Sequence, residues 1–334
     1  MSFREIWKYG LLANVSVSLW GSEKRLDPED LGLDSKHIPH KRSLGSTLLI
    51  PTVWHRKFTT LEARARRVPR RLGYVFNAPS GFFIPYKALN SFLNHIEHVT
   101  SDFNKEVKVF LDHYEKIKLE MRTTQIEDAK RAFKLYKIQH VRKDVDEDEY
   151  INSYISRIVR KYPSKKKLST KFKIAYHLYT ADIPPVSTEL LDLDEHNINR
   201  VKNLQQTYKE KMIQNVHDLI DHAAYTARKR IQVSCEKLIE TYELFGAYFR
   251  SNLDSLKLLM SEYDLIDIFD DVAFKKSMAM ITERIFKAYT PYKISKSPII
   301  KEQLYKDIQI LHSIASKEEA IKLMAIRFKQ KINL

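Results

Sequence analysis

Glycine nearly vanishes from this sequence after residue 81. Six of its seven glycines (Gly10, Gly21, Gly32, Gly45, Gly73, Gly81) lie before that point, and only Gly246 follows. Proline is just as uneven. Tyr86–Tyr162 holds neither residue, and Val186–Thr290 holds one glycine and no proline. Segments without helix breakers permit long helices, so the chain reads as a turn-rich head followed by a helical body. Cysteine is a single residue, Cys235, which excludes an internal disulfide framework and a CxxC metal site. No run approaches the roughly 18 apolar residues of a membrane span. The opening MSFREIWKYG lacks the apolar core and small-residue cleavage site of a signal peptide. The expectation is a soluble, cytoplasmic protein.

Several kinds of chemistry are missing as well. There is no Walker-type loop and no Rossmann glycine fingerprint. There is no GxSxG elbow either. Cys235 has no activating pattern around it. Catalytic residues and cofactors are therefore expected to be none.

What is present begins with a core. Hydrophobic residues make up 43% of the chain and aromatics 11%, enough to exclude wholesale disorder. Asn14–Trp20 alternates polar and apolar residues, placing Val15, Val17 and Leu19 on one face of an expected strand. Thr47–Val53 is a second candidate strand. Leu72–Phe76 and Phe82–Ile84 flank the turn cluster Asn77–Gly81 and read as a hairpin. Trp7, Trp20 and Trp54 all fall in this region and are expected to anchor one small core.

Phe58–Val68 has helical period. Phe58, Leu61, Ala65, Val68 and Leu72 share a stripe of about 80°, with arginines behind it. Pro69 predicts an end or a kink there. From Pro85 onward, Leu89, Phe92, Ile96, Phe103, Phe110, Tyr114 and Ile117 mark a narrow seam, predicting one long helix packed in coiled-coil fashion. Thr124–Glu127 has capping-box spacing and predicts a restart, running to about Arg142. Asp144–Glu149 predicts a third helix. Tyr162–Lys167 reads as a basic loop and Phe172–Tyr179 as an aromatic strand. Val186–Arg250 predicts long helix with a break near Leu191–His196. Shorter helices are expected near 252–268, 272–290, 299–315 and 317–331, the last with Ser316 and Glu319 at capping spacing.

The fold class is therefore mainly α: a long-helix, coiled-coil-like bundle with a small β-containing basic head. The expected segments are 1–84 (head), 85–185 (long antiparallel helices plus the aromatic strand) and 186–334 (helical C-terminal body).

Charge is the strongest functional signal. The chain holds 57 Lys+Arg against 42 Asp+Glu, a net +15. Between Lys36 and Val75 lie ten basic residues and one acid, Glu62, so this stretch alone carries +9. The basic residues singled out as nucleic-acid contacts are Lys41, Arg42, Arg56, Lys57, Arg64, Arg66, Arg67, Arg70 and Arg71. Guanidinium forks suit phosphate, and a basic stripe attracts any polyanion. The same pattern also fits an acidic protein partner, a plain solvated helix face, or arginines paired with acids of the body such as Asp144–Glu149.

Two further clusters were weighed as sites. His217, Asp218, Asp221 and His222 have ligand-like i,i+4 spacing. However, Val216, Leu219, Ile220, Ala223 and Ala227 take the opposite arc, so the four polar residues are expected to face outward. Asp264, Asp267, Asp270 and Asp271 come from one short stretch, whereas a two-metal nuclease needs carboxylates converging from several. They are expected to be structural. His95 and His98 read as boundary residues beside the apolar seam.

A resemblance adds to this. The sequence runs through VSVSLWGSEKRLDPEDL (15–31), Gly45-Ser46, Phe58 and Leu61 with Ala63-Arg64-Ala65-Arg66, then Gly73-Tyr74-Val75-Phe76, Phe83-Ile84-Pro85 and the helix of Phe103, Phe110, Leu111 and Tyr114. In this order it resembles a bacterial and phage family catalogued as a domain of unknown function, over about residues 11–120 and loosely to 172–179. Thr47 stands where the family pattern has lysine, and Pro69 interrupts the arginine helix. The resemblance implies a phage or mobile-element protein encoded beside a MoxR-type AAA+ ATPase and a von Willebrand A-domain protein. It implies no catalytic residues. The resulting expectation is a non-catalytic interaction protein binding nucleic acid and a protein partner. A protein-only adaptor is the alternative, a metal-dependent nuclease comes third, and the helical seams also suit a homo-oligomer.

Overall fold

A computed structural model describes residues 3–26, 28–31, 46–76, 81–139, 145–181, 195–285 and 291–334. The protein is mainly helical with a small antiparallel sheet. The chain divides into two compact units. One holds Met1–Val15, Val68–His95 and Tyr176–Leu334, and the other holds Ser16–Arg67 and Ile96–Ala175. Residues 186–334 lie wholly in the first unit, whereas residues 1–84 and 85–185 contribute to both.

The first unit is organised by α6 (Glu195–Phe245), a helix of 51 residues. Met212, Val216, Leu219, Ile220, Ala223, Ala227, Ile231, Cys235 and Leu238 recur every three or four residues and are all buried. Against α6 pack α7 (Arg250–Ile266), α10 (Pro298–Ala315) and α11 (Glu318–Lys331). The shorter α8 (Val272–Glu283) and α9 (Pro291–Lys296) pack on α10. Here the sequence reading misses α9 and the end of α6 at Phe245, where helix was expected to run to Arg250. Its break near Leu191–His196 falls largely outside the described residues. Ser316 does not cap α11. It closes α10, and Lys317 takes the cap position without a side-chain bond.

The hairpin forms as expected. Strands β4 (Tyr74–Phe76) and β5 (Gly81–Pro85) pair antiparallel with Phe76 opposite Gly81, and the connection at 77–80 lies outside the described residues. Strand β5 pairs with β1 (Gly10–Ser18), and β6 (Lys173–Tyr179) completes a sheet of order β4-β5-β1-β6. A Cβ at Gly10 would collide with the carbonyl oxygen of Ile84, so the close approach of β1 and β5 requires glycine there.

The second unit has an aromatic core. Phe58 meets Phe110 at 5.3 Å and Phe172 at 4.8 Å between centroids, and Phe103, also against Phe172, is wholly buried. These rings come from α1 (Thr52–Leu72), α2 (Tyr86–Asp112) and the approach to β6. α3 (Tyr114–Gln139) packs on α4 (Glu147–Arg160), whose N-terminus is capped by Asp146. Strands β2 (Glu23–Arg25) and β3 (Ser46–Leu48) form a separate pair. Trp20 and Trp54 belong to this core, whereas Trp7 packs in the first unit 6.1 Å from Phe76. The three tryptophans therefore do not share one small core.

Five local expectations need correction. The helix expected at 58–68 starts at Thr52, so only Ser46–Leu48 of the second candidate strand is extended. It also does not end at Pro69 but runs on to Leu72, where a side-chain donor described below satisfies its last carbonyls. The seam expected as one helix from Pro85 is two, α2 and α3, although the bonds His113 N to Val109 O and Ile117 N to His113 O carry the ladder across the junction. No restart occurs at Thr124. α3 passes straight through, and Gln125 points inward to donate to the Tyr162 hydroxyl at 2.8 Å. Burial of that stretch outweighs a weak local capping pair. Finally, Lys165–Ser169 is a short helix, α5, capped by Ser164 rather than a loop.

Candidate nucleic-acid interface

Helix α1 carries the basic stretch. Its buried face is Phe58, Leu61, Ala65, Val68 and Leu72, the stripe read from the sequence. Arg56, Lys57, Arg64, Arg66, Arg67 and Arg70 are exposed, and Arg71 is half-buried. Lys41 and Arg42 lie outside the described residues.

Within the second unit, three of these cations meet carboxylates. Lys57 Nζ is 2.9 Å from Glu106, Arg64 3.0 Å from Asp102, and Arg66 2.9 Å from Glu62 one turn away. Both partners of each pair stay partly in water, where such bridges contribute about 0–1 kcal/mol and exchange readily. Arg56 and Arg67 have no carboxylate partner among the described residues. Eleven residues apart, they fall within about 20° of each other around the helix and about 16 Å apart along it. A shallow groove of about 580 Å³ includes Arg56 but not Arg67; it is lined by Arg56, Lys57, Thr60 and Arg64 of α1 and by Asp102, Lys105 and Glu106 of α2. Lys105 is an added cation that the sequence reading did not single out. Its place in the groove depends on the packing of α2 on α1.

The last turn of α1 belongs to the first unit and behaves differently. Arg70 is exposed without a carboxylate partner among the described residues. Arg71 faces inward, with Nε 3.2 Å from Glu262 Oε1 and Nη2 2.6 Å from His95 Nε2. His95 Nδ1 in turn lies 2.6 Å from the Ser91 carbonyl, the pattern of a ring that donates through Nδ1 and accepts through Nε2. The Arg71–Glu262 contact is an ion pair by distance but poorly aligned, and Arg71 Nε and Glu262 Oε2 find no hydrogen-bond partner among the described residues. Burial accordingly raises the Glu262 pKa despite the nearby Arg71, His95 and Arg230. Arg71 is thus committed to the interior rather than to a surface contact. The acids that pair with the arginines are Glu62, Asp102 and Glu262. Asp146, in the stretch weighed for that role, instead caps α4.

The other clusters hold structural roles. Asp218 and Asp221 face outward, Asp218 accepting from Gln214 and Asp221 pairing with Lys329 at 2.7 Å. His222 meets Thr226, and His98 sits 3.7 Å from Asp102. Asp267 is fully buried and accepts the backbone N–H groups of Phe269 and Asp271, each at 2.9 Å. Lys275 Nζ lies among Asp264, Asp267 and Asp270 at 3.1, 2.9 and 3.3 Å, and Arg228 pairs with Asp271. These acids turn the chain from α7 into α8 around an ammonium and a guanidinium. Among the described residues, no group of three or more His, Cys, Asp or Glu is placed to hold a metal ion. No described helix is long and apolar enough to cross a membrane.

No curated protein and no solved structure matches the chain. A family model does match, over residues 9–241, from β1 almost to the end of α6 and well beyond the stretch where the resemblance was noted. Its description is Protein of unknown function (DUF3150), and this chain belongs to that family.

Proposed function

We propose that the protein is a non-catalytic interaction module that holds nucleic acid along the exposed face of α1 and a protein partner through its helices. The observation that supports the first half is the alignment of Arg56 and Arg67 on one face of α1, with a groove at Arg56 that adds Lys57, Arg64 and Lys105. Guanidinium groups without an internal carboxylate are free to replace phosphate counterions. Nothing in this arrangement reads base edges, so the proposed contact is with the backbone and is not sequence-specific. The exchangeable pairs at Lys57 and Arg64 would open toward phosphate at low salt, and added salt would screen both the pairs and the phosphate contact.

The test is retention of duplex DNA by the full chain against the variant Arg56→Glu/Arg67→Glu/Arg70→Glu. The reading expects retention by the parent and its loss in the variant at matched fold stability. Equal retention by both removes α1 as the contact.

A second reading, a protein-only adaptor, is favoured by the ion pairs of Lys57, Arg64 and Arg66, which already offset part of the basic charge. In that reading α1 meets an acidic protein face. The resemblance set out above supports a phage or mobile-element origin and points to a MoxR-type AAA+ ATPase or a von Willebrand A-domain protein as the partner. Pull-down with those purified partners from nuclease-treated lysate separates the two readings.

A further inference from the structure

The one glycine of the helical body ends the longest helix. Gly246 has φ +60 and donates its N–H to the Tyr242 carbonyl at 2.8 Å, a left-handed cap that stops α6 abruptly. Four residues later α7 begins at Arg250. This corner leaves Leu244, Phe245 and Phe249 in solvent at 75%, 66% and 54% exposure, with the two phenyl rings 5.9 Å apart. Single exposed apolar side chains are ordinary, but three within six residues on one turn make a patch.

Beside the patch is a cavity of about 170 Å³. Leu253, Ile285, Ile294 and Leu304, all buried, form its apolar lining, and Ala247 and Tyr248 of the corner form a wall. A dry apolar cavity of about 150 Å³ accepts a benzene ring. Around the mouth stand Arg250, Lys257 and Lys301; Lys257 has a partner of its own, and Arg250 lies 3.6 Å from the acid of the lining, Asp254, with both side chains mostly in water. The nearby Glu302 is engaged with Lys306 at 3.7 Å. The rim is therefore cationic and the interior apolar.

We infer that the α6–α7 corner docks an acidic segment of a partner protein, seating one phenylalanine- or leucine-sized side chain in the cavity while flanking carboxylates meet Arg250 and Lys301. Charge complementarity selects the acidic flanks, and the size of the cavity selects the anchor. A polyanion without an apolar side chain would use the rim alone and leave the cavity empty. The inference rests on the partner-protein half of the reading above and involves no residue of α1.

The experiment uses the full chain and a fluorescein-labelled twelve-residue peptide of Asp and Glu with one central Phe, beside the same peptide with Ala. Fluorescence anisotropy is expected to show saturable binding, weakened roughly 10- to 100-fold by Phe→Ala in the peptide, the effect of burying one phenyl group. Arg250→Glu/Lys301→Glu is expected to weaken both peptides. Ala247→Trp, which fills the cavity, is expected to erase the Phe preference. The α1 variant is expected to bind as the parent does, so failure here and failure of the nucleic-acid reading are distinguishable. Circular dichroism and the unfolding midpoint confirm that each variant folds. Absence of saturable binding, equal affinity for the Phe and Ala peptides, or displacement by an oligonucleotide without any Phe preference overturns the inference. So does a dimer in sedimentation whose formation blocks the peptide, because the occupant is then a second copy of this chain.

Discussion

The guanidinium of Arg230 donates from Nη1 to the main-chain carbonyl of Arg71 at 2.6 Å. Its Nη2 reaches the carbonyls of Arg70 at 2.8 Å and Gly73 at 3.1 Å. One side chain of α6 thus satisfies the open C-terminal end of α1, where the helix dipole also favours a cation.

This contact secures the turn of α1 that follows Pro69, and it sets a prediction. Arg230→Ala should destabilise the protein by roughly 2–3 kcal/mol, the loss of charge-assisted bonds to otherwise unsatisfied carbonyls. Arg230→Lys should recover less than half, because an ammonium cannot reproduce the spread of a planar fork. Urea unfolding of the three proteins checks both statements. A lysine variant as stable as the parent would show that charge, not geometry, secures the turn.

Phe103 is wholly buried between Phe58 and Phe172, with centroids at 6.3 and 6.4 Å. Truncating it to alanine should cost about 3–5 kcal/mol. An unchanged thermal midpoint would contradict the aromatic core of the second unit.

Glu262 sets a pH dependence. Burial raises its folded-state pKa above that of the unfolded chain, so the folded protein binds the proton more tightly. The stability from this group is full below the ordinary glutamate range and is lost as pH rises through the raised value. Glu262→Gln removes that term, so the stability difference should move in the variant's favour as pH increases. Urea midpoints of parent and variant on both sides of the window test this. A difference independent of pH would place Glu262 in a better-satisfied ion pair than the geometry indicates.

Cys235 is fully buried in α6, and burial pushes its thiol pKa up to about 12. The single thiol should therefore react with an aromatic disulfide reagent only when α6 opens. Labelling is expected to be slow in buffer and to accelerate with denaturant. Prompt labelling of the folded protein would show that α6 is loosely packed there.

Much of the fold was legible in the sequence because it is written in periodicity. The buried stripe of α1 and the seam from Phe92 to Ile117 follow directly from apolar spacing; in β1 the alternation holds over Asn14–Ser18, but the strand begins four residues earlier, at Gly10, and stops short of Trp20. Events at helix ends were not legible. Pro69, Thr124 and Ser316 carry local signals for a break or a cap, and each is overridden by a partner distant in sequence or by a neighbouring turn. The candidate site shows the same limit. The sequence shows that α1 is basic, but not which cations are already engaged. Glu106, Asp102 and Glu262 lie 38 to 191 residues away from their partners Lys57, Arg64 and Arg71. Lys275 follows Asp271 by one helical turn, yet that spacing misleads too: Asp271 pairs with Arg228, and Lys275 reaches back to Asp264, Asp267 and Asp270 across the turn between α7 and α8.

The most direct test of the central claim is the salt dependence of duplex DNA binding. If Arg56, Arg67 and Arg70 alone replace counterions, log K should fall with log salt at a slope of about −2.7, steepening to about −5.4 where Lys57, Arg64 and Lys105 also reach phosphate. The Arg56→Glu/Arg67→Glu/Arg70→Glu variant should lose the binding while keeping the parent's unfolding midpoint. Binding with an undiminished slope in that variant would contradict the account.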